Sequence, residues 1–476
     1  MKKLTLLLLF VLLASVSSAH PWKPNHYVII DTDGGLDDMR SICMFLASPD
    51  VRVLGITVSP GALSAEDAYI KVKSLLNSFY HEGIPVGINR TKIFNPPGFP
   101  AAKSFIWGNE NGIDPAKAPE FLKVIRQILS AEKTKISFIS LGGMSSAYES
   151  LTNIPEFKIQ VKQIVWSCNG LNDKNGFNYK IDKTSASEIL KQNIPVKAVI
   201  SRDDLDFFDK GFNDLLGRIN TRYANKVMDL SASSSGKDHS FALKANDEMV
   251  PVFIHFPELF TNNVTDNNTE SIPSNQAGIR EAFIKILKGE TVAKNQVIRE
   301  FPMNPEFYFE DIQPSVKEIT EKHGEDEWIA GVLANELHRH LGVFAIIGVK
   351  MGIRAREYFD TGVDEFKVTS YAGSIPPLSC MNDGVQVSTG ATPGHGLLTV
   401  RSDTASMPSC EFTYLNHRIR LTLQPGIAKK ISEELKEINF IYGLDSNIYW
   451  ELVRKNSIKY WRDLDRHEIF EIEEIN

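Results

Sequence analysis

Tyr27-Val28-Ile29-Ile30-Asp31-Thr32-Asp33-Gly34-Gly35-Leu36-Asp37-Asp38 is the stretch on which the reading of this chain turns. An apolar run ends abruptly in four carboxylates, with two glycines between the pairs. Met39, Ile42, Cys43, Phe45 and Leu46 then recur at helical spacing. The pattern predicts a buried strand, a tight turn and a helix start. Asp31 and Asp33, two residues apart, leave the strand on one side. Asp37 and Asp38 fall at the helix N-terminus, where the dipole favours negative charge. One Asp there is ordinarily a cap. Four within eight residues repel one another, and the dipole offsets only part of that. A hard divalent cation neutralises such a cluster best, and all-oxygen ligands suit calcium or magnesium. The carboxyl ends of strands are also where open α/β sheets bind ligands.

The same residues resemble the DTDxGxDD signature that opens the inosine-uridine nucleoside hydrolases. Ser48–Val58 resembles that family's second strand, and Gly83-Ile84-Pro85-Val86 its third. A competing resemblance is to the haloacid-dehalogenase-type phosphatases, with Asp31 as nucleophile; the second Asp pair argues against it. Three later stretches carry the first resemblance further. Ser140–Ser146 stands where that family has TGPLTN, Gly176–Asp182 where it has AEFNxxxD, and Asn246–Phe260 where it has HDPLAVAYxxxPELF. The resemblance implies a calcium site of Asp33, Asp38, the Leu141 carbonyl and Asp247. It assigns Asp33 as general base, and Asp37, Asn178 and Trp107 to the substrate. It also exposes departures: Ala62 replaces an Asn, Gly176 a ribose-binding Glu, and Asn246 the usual leaving-group His. His239, in a Ser-rich stretch, is a candidate replacement acid that reads more simply as a surface-loop histidine.

Outward from this core, apolar strand-like runs alternate with helical patterns up to about residue 260, the α/β signature. Strands are expected at Val53–Val58, Ile136–Leu141, Gln163–Trp166 and Pro195–Ile200, and helices at Ala65–Tyr80 and Ala118–Leu129. The polar run Thr261–Glu270 reads as an exposed loop. Gln296–Phe301 and Asp311–Lys322 resemble the family's final strand and helix, which sets a boundary near Gly324–Glu327. The expected architecture is a nucleoside-hydrolase-like, mainly parallel sheet with flanking helices over 26–324, plus a smaller α+β domain over 327–476.

That second domain resembles the formylmethanofuran dehydrogenase E-subunit-like family. Glu336-Leu-His-Arg-His-Leu-Gly342 and Cys380–Gly396 carry the likeness, and Glu411–Leu423 resembles its closing strands. His338, His340 and Cys380, with Asp383 as ligand or outer-shell carboxylate, suit zinc or another transition metal, because imidazole and thiolate are borderline-soft ligands. Two histidines two apart converge only if a helix begins after them. The alternative is a merely packed, hydrogen-bonded cluster. Ala391 and His395 depart from that family's Cys and Lys. Ile427–Asn439 and Asn447–Asp463 read as amphipathic helices.

With 476 residues the chain has ample core for two domains. A net charge of −7 with no basic block argues against nucleic acid as a partner. Met1-Lys-Lys, an apolar run over Leu4–Ala14 and Ser17-Ser-Ala19 predict a signal peptide of residues 1–19 and an exported, periplasmic or secreted protein with no membrane span. Cys43, Cys168, Cys380 and Cys410 do not resemble a disulfide framework. The expected function is calcium-dependent hydrolysis of the N-glycosidic bond of a small nucleoside or N-riboside, with self-association left open. The alternatives are a non-catalytic calcium and ribose binder, favoured by the three departures, and a phosphatase-like hydrolase.

Overall fold

The computed structural model describes residues 23–91, 98–200, 207–233, 245–292, 297–298 and 300–475. The expected leader (1–19) and His239 lie outside them. The chain forms two compact units: Pro24–Lys294 with Tyr358–Asp360, and Asn295–Glu357 with Thr361–Asn476.

The first unit holds an eight-stranded sheet: β1 His26–Thr32, β2 Val51–Val58, β3 Val86–Ile88, β4 Ile136–Ser140, β5 Val161–Cys168, β6 Val196–Ile200, β7 Phe260–Thr265 and β8 Asn268–Pro273. Their order is β3-β2-β1-β4-β5-β6-β8-β7, and every pairing except β7–β8 is parallel. Parallel strands buried on both faces read as continuous apolar runs, which is why Tyr27–Ile30 shows no alternation. Within it Val28 and Ile30 enter one core with Met39, Ile42 and Phe45, while Ile29 joins the opposite core with Phe121 and Phe138. The chain builds outward from β1 through β2 to β3, then returns to β4 and builds the other way. The crevice at such a reversal, outside the carboxyl ends of β1 and β4, is the ligand position of doubly wound sheets.

The expected strands and helices are present to within a few residues, with three differences. The run Thr261–Glu270 is not a loop: it lies in a hairpin turning at Asp266, whose φ is +52°. Asp tolerates the left-handed conformation a tight hairpin demands. Alternate residues of β8 (Thr269, Ser271, Pro273) are buried, so polarity disguised an edge pairing. The described part of 296–301 is not a strand. Finally, the helix expected at Asp311–Lys322 forms at Gln313–His323 but belongs to the second unit. Val316 and Ile319 pack in one cluster with Trp328 and Trp461, so the compact units divide near residue 294 rather than 324.

The second unit carries a five-stranded sheet, β9 Lys367–Ser370, β10 Leu398–Val400, β11 Ser409–Tyr414, β12 His417–Leu423 and β13 Phe470–Ile475, ordered β10-β9-β11-β12-β13. Helices over Glu325–His338, Val343–Phe359, Met381–Thr389, Pro425–Tyr442 and Asn447–Asp463 accompany it. Among the described residues no helix is long and apolar enough to cross a membrane.

Candidate active site

Beyond Thr32 the chain turns through Gly34, at φ +82°, into the helix Leu36–Ala47. A Cβ on Gly34 would stand 3.0 Å from Ala68 Cβ and Leu63 Cδ1, so sterics and conformation both demand glycine there. The turn is fixed by its own carboxylates. Asp38 Oδ1 accepts from Thr32 Oγ1 at 2.6 Å and from the Asp33 amide at 3.1 Å, and Asp33 Oδ1 accepts from the Gly35 amide at 3.3 Å. The loop after β2 comes so close that a Cβ on Gly61 would overlap the Asp33 carboxylate.

Asp247, from the turn before the helix Met249–His255, completes the cluster. One carboxylate oxygen from each of Asp37, Asp38 and Asp247 lies within 4.8 Å of the others. Asp33 lines the same pocket outside that trio. Burial, then Asp38 and Asp37, hold the Asp33 carboxyl well above the usual range, and burial followed by the same kind of repulsion does so for Asp247. Burial pushes Asp38 up to about 6, and its carboxyl shares a hydrogen bond with that of Asp247. Two carboxyls sharing one bond need a proton between them unless a cation takes its place. Oxygen-only donors in this number fit calcium or magnesium.

Asp31, two residues earlier, is differently placed. It is fully buried, accepts from Thr57 Oγ1 at 2.5 Å and Ser59 Oγ at 2.9 Å, and is pushed up to about 7 by burial. It does not line the pocket. A nucleophile needs a free oxygen facing substrate, so the phosphatase reading of Asp31 is set aside.

The pocket encloses about 480 Å³. Its polar lining is Asp33, Asp37, Asp38, Ser167, Asn169, Asn178, Asn246 and Asp247; its apolar lining includes Leu36, Phe99 and Phe177. The two Phe rings meet edge to face at 5.4 Å. Asn178 Nδ2 donates to the Leu141 carbonyl at 2.6 Å and the Ser167 carbonyl at 2.9 Å. The predicted carbonyl and sugar residues are thus joined, with only the Asn178 Oδ1 left over. Asn246 Nδ2 donates to Asp37 Oδ2 at 3.1 Å, while its Oδ1 is buried without a partner. Ala62 lines the pocket and its amide bonds Asp33. A side chain at Gly176 would begin 2.7 Å from Asn169 Oδ1, so the space of the missing Glu is taken by Asn169, itself a lining residue.

Trp107 does not reach this pocket. It is fully buried in the core against Phe105, ring centroids 4.6 Å apart, because a large apolar indole gains more from packing than from a charged cleft. Phe99, in the Pro/Gly-rich segment Pro96-Pro97-Gly98-Phe99-Pro100, supplies the aromatic wall instead. Sequence reasoning also missed Arg40 and Glu248, the residue after Asp247, which form a buried ion pair, the guanidinium lying 4.4 Å over the Phe208 ring. An Arg in an apolar helical stripe was the available signal.

Known proteins share this arrangement of sequence. The profile of the inosine-uridine preferring nucleoside hydrolases matches residues 28–266, half of the chain. The chain belongs to the inosine-uridine preferring nucleoside hydrolase family. Residues 337–439 match a second family, described as FmdE, molybdenum formylmethanofuran dehydrogenase operon. The pyrimidine-specific ribonucleoside hydrolases RihA of Klebsiella pneumoniae and Escherichia coli are 24% and 25% identical over 187 residues, which is 36% of this chain and 58% of theirs. The chain therefore spans little more than half the length of these curated relatives. Among solved structures, the inosine-uridine preferring nucleoside hydrolase of Bacillus anthracis is 14% identical at a TM-score of 0.45, covering 56% of this chain and 99% of its own. The type III effector XopQ, solved with adenosine diphosphate ribose, is 11% identical at the same TM-score, covering 59% and 98%.

In the second unit the helix Glu325–His338 ends at His338, and Arg339, at φ +70°, reverses the chain. His338 and His340 converge, ring centroids 4.2 Å apart, because one helix ends at His338 and the next begins only after them, at Val343. A Cβ on Gly342 would lie 3.2 Å from His338 Nε2 and 3.4 Å from His340 Nε2, so both nitrogens face the space glycine leaves. His338 Nδ1 bonds Asp383 Oδ2 at 2.7 Å, and His338 Nε2 is buried without a partner. Cys380 precedes Asp383 by three residues; burial and that carboxylate push its thiol up to about 11. Among the described residues only the Asp37, Asp38 and Asp247 trio forms a closed ligand set, so these four side chains do not yet constitute one.

Proposed function

We propose that the first unit hydrolyses the N-glycosidic bond of ribonucleosides or related N-ribosides, with calcium held by Asp38 and Asp247 together with Asp33 or Asp37 and the Leu141 carbonyl. The observation that carries this reading is the buried trio of Asp37, Asp38 and Asp247 opening, beside Asp33, into a nucleoside-sized pocket at the sheet's reversal. Calcium bound there would hold the sugar diol and lower the pKa of an attacking water. Asp33, whose carboxyl accepts from the Gly35 and Ala62 amides, would take that water's proton. Asp37, oriented by Asn246, accepts from a sugar hydroxyl as C1′ gains positive charge. Export is part of the proposal and rests on the leader-like residues 1–19; fractionation of cells expressing the full chain tests it.

Gly176 and Asn246 favour a second reading, a calcium and ribose binder without turnover. p-Nitrophenyl riboside, whose leaving group needs no acid, separates the two. Calcium-dependent release of nitrophenolate, falling by about 10²–10⁴ in Asp33→Ala, is expected for the hydrolase. Calcium binding without any release would leave the binder.

For the second unit we propose a transition metal, zinc being the best match, at His338 Nε2 and His340 Nε2, with Cys380 alongside. Asp383 then orients His338 through Nδ1, as carboxylates do behind metal-bound imidazoles.

A further inference from the structure

We propose that Lys71 is a positioning residue: its buried ammonium fixes the segment 99–110 on the helix Ala65–Ser78, so that the aromatic wall of the pocket is in place before a ligand arrives. The consequence for turnover rests on the hydrolase reading above; the anchor itself does not.

The helix is started by Ser64, whose hydroxyl accepts from the Asp67 amide at 3.1 Å. Positions 67, 71, 74 and 78 recur every three or four residues and so share one face of it. The segment lies along that face. Lys103 Nζ stands 3.2 Å from Asp67 Oδ2, in a pair open to water and of little weight. Lys71 is only 5% exposed, and its Nζ donates to the Phe105 carbonyl at 2.8 Å and to Glu110 Oε1 at 2.7 Å. A Cβ on Gly108 would overlap the Ser74 carbonyl and meet Ser78 Cβ at 3.1 Å, so the two backbones touch where glycine allows it. Trp107, two residues past Phe105, is fully buried against its ring.

The bond to a main-chain carbonyl is what links Lys71 to the pocket, because it fixes backbone rather than a side chain. From Phe105 the backbone runs back into the wall. The Phe105 amide donates to the Ala101 carbonyl at 3.0 Å, and the Lys103 amide to the Phe99 carbonyl at 3.1 Å. Gly98, Phe99, Pro100, Ala101 and Ala102 line the cavity, and Phe99 meets Phe177 edge to face. Lys71 itself does not line it. Releasing the segment breaks two charge-assisted hydrogen bonds, each worth about a factor of 10 or more in an equilibrium, and returns the Trp107 indole to water. A wall already held in place spares the ligand the cost of ordering it.

The test compares Lys71→Met, Glu110→Ala and Lys103→Ala in the full chain with calcium. Methionine keeps an apolar stem of similar length and removes the donors. Hydrogen exchange in 99–110 should be about 10-fold faster in Lys71→Met, the loss of one charge-assisted hydrogen bond, and unchanged in β1 and the helix Leu36–Ala47. KM for p-nitrophenyl riboside should rise by about 3–10-fold with kcat within about twofold, because the competent wall is then only partly populated. Glu110→Ala, at a half-exposed position outside the cavity, should move both readings the same way and by less. Lys103→Ala should move neither. A lysine that served stability alone would lower Tm and leave KM unchanged, and that result overturns the positioning role. Unchanged exchange in 99–110 for both Lys71→Met and Glu110→Ala overturns the anchor. If the unaltered protein cleaves no riboside, the hydrolase reading falls by itself. Calorimetry of uridine with calcium then takes the place of KM, and an affinity no weaker in Lys71→Met overturns the positioning role.

Discussion

At the carboxyl end of β1 one oxygen from each of three carboxyls falls within 4.8 Å, whereas in the second unit the carboxylate of Asp383 stands 2.7 Å from the Nδ1 of His338. The first arrangement is frustrated until a cation arrives: burial, then the neighbouring carboxyls, raise Asp38 and Asp247, whose side chains share a hydrogen bond. The second is already half satisfied, because Asp383 has an imidazole to bind and His338 keeps only its Nε2 unpartnered. Polar clusters that lack an internal counter-charge point to a ligand more strongly than clusters that have one.

That contrast is easiest to break at the first site. Removing either of two acids contributed by distant parts of the chain, Asp38 from a helix's first turn or Asp247 from a turn, should remove the ion altogether. Asp38→Ala and Asp247→Ala are each expected to abolish the heat of calcium binding in calorimetry and all calcium-dependent turnover, with the fold retained by circular dichroism. Unchanged calcium affinity in either variant would mean that the cluster is not the site.

A smaller effect is expected in the second unit, where one partner acts through another. Asp383→Asn should weaken zinc retention by about 10–100-fold, the usual effect of an outer-shell carboxylate, while His338→Ala and His340→Ala lose the metal. Elemental analysis of the purified full chain and competition with a chromogenic chelator measure this. Calcium binding should be untouched in all three. Absence of zinc from the unaltered protein, with no affinity for added zinc, would leave the two imidazoles as packing groups.

The smallest effect is on stability. Asp38 is raised to about 6 and Asp31 to about 7, whereas in the unfolded chain both titrate near 4. Across that interval the native state binds more protons than the unfolded state, so stability is greatest at low pH and is lost as pH rises through the folded values. Calcium-free protein should therefore melt a few degrees lower at about pH 7.5 than at about pH 5, and the gain from calcium should grow with pH. A calcium increment independent of pH would show that the acids do not share protons.

The sequence by itself determined the strand–turn–helix that carries Asp33, Asp37 and Asp38, because an apolar run, two glycines and a helical stripe leave the backbone little choice. It also determined the alternation of strands and helices and the match of Asp247 and Asn178 to a known family. Only the tertiary structure decided which neighbours these residues meet. Asp31 and Asp33 have the same side chain two residues apart, yet one is enclosed by Thr57 and Ser59 and the other opens on the pocket. Trp107 and Phe99 are both aromatic residues in one connecting segment, and packing sent the first to the core and the second to the cavity. Asn178 meeting the Leu141 carbonyl and Arg40 paired with Glu248 join residues distant in the chain, while Asn169 fills the space beside Gly176 from within the same loop. The polar residues of β8 became strand because β6 offered an unpaired edge. Local pattern fixes backbone geometry, but hydrogen-bond partners and burial depend on contacts that a single sequence does not rank.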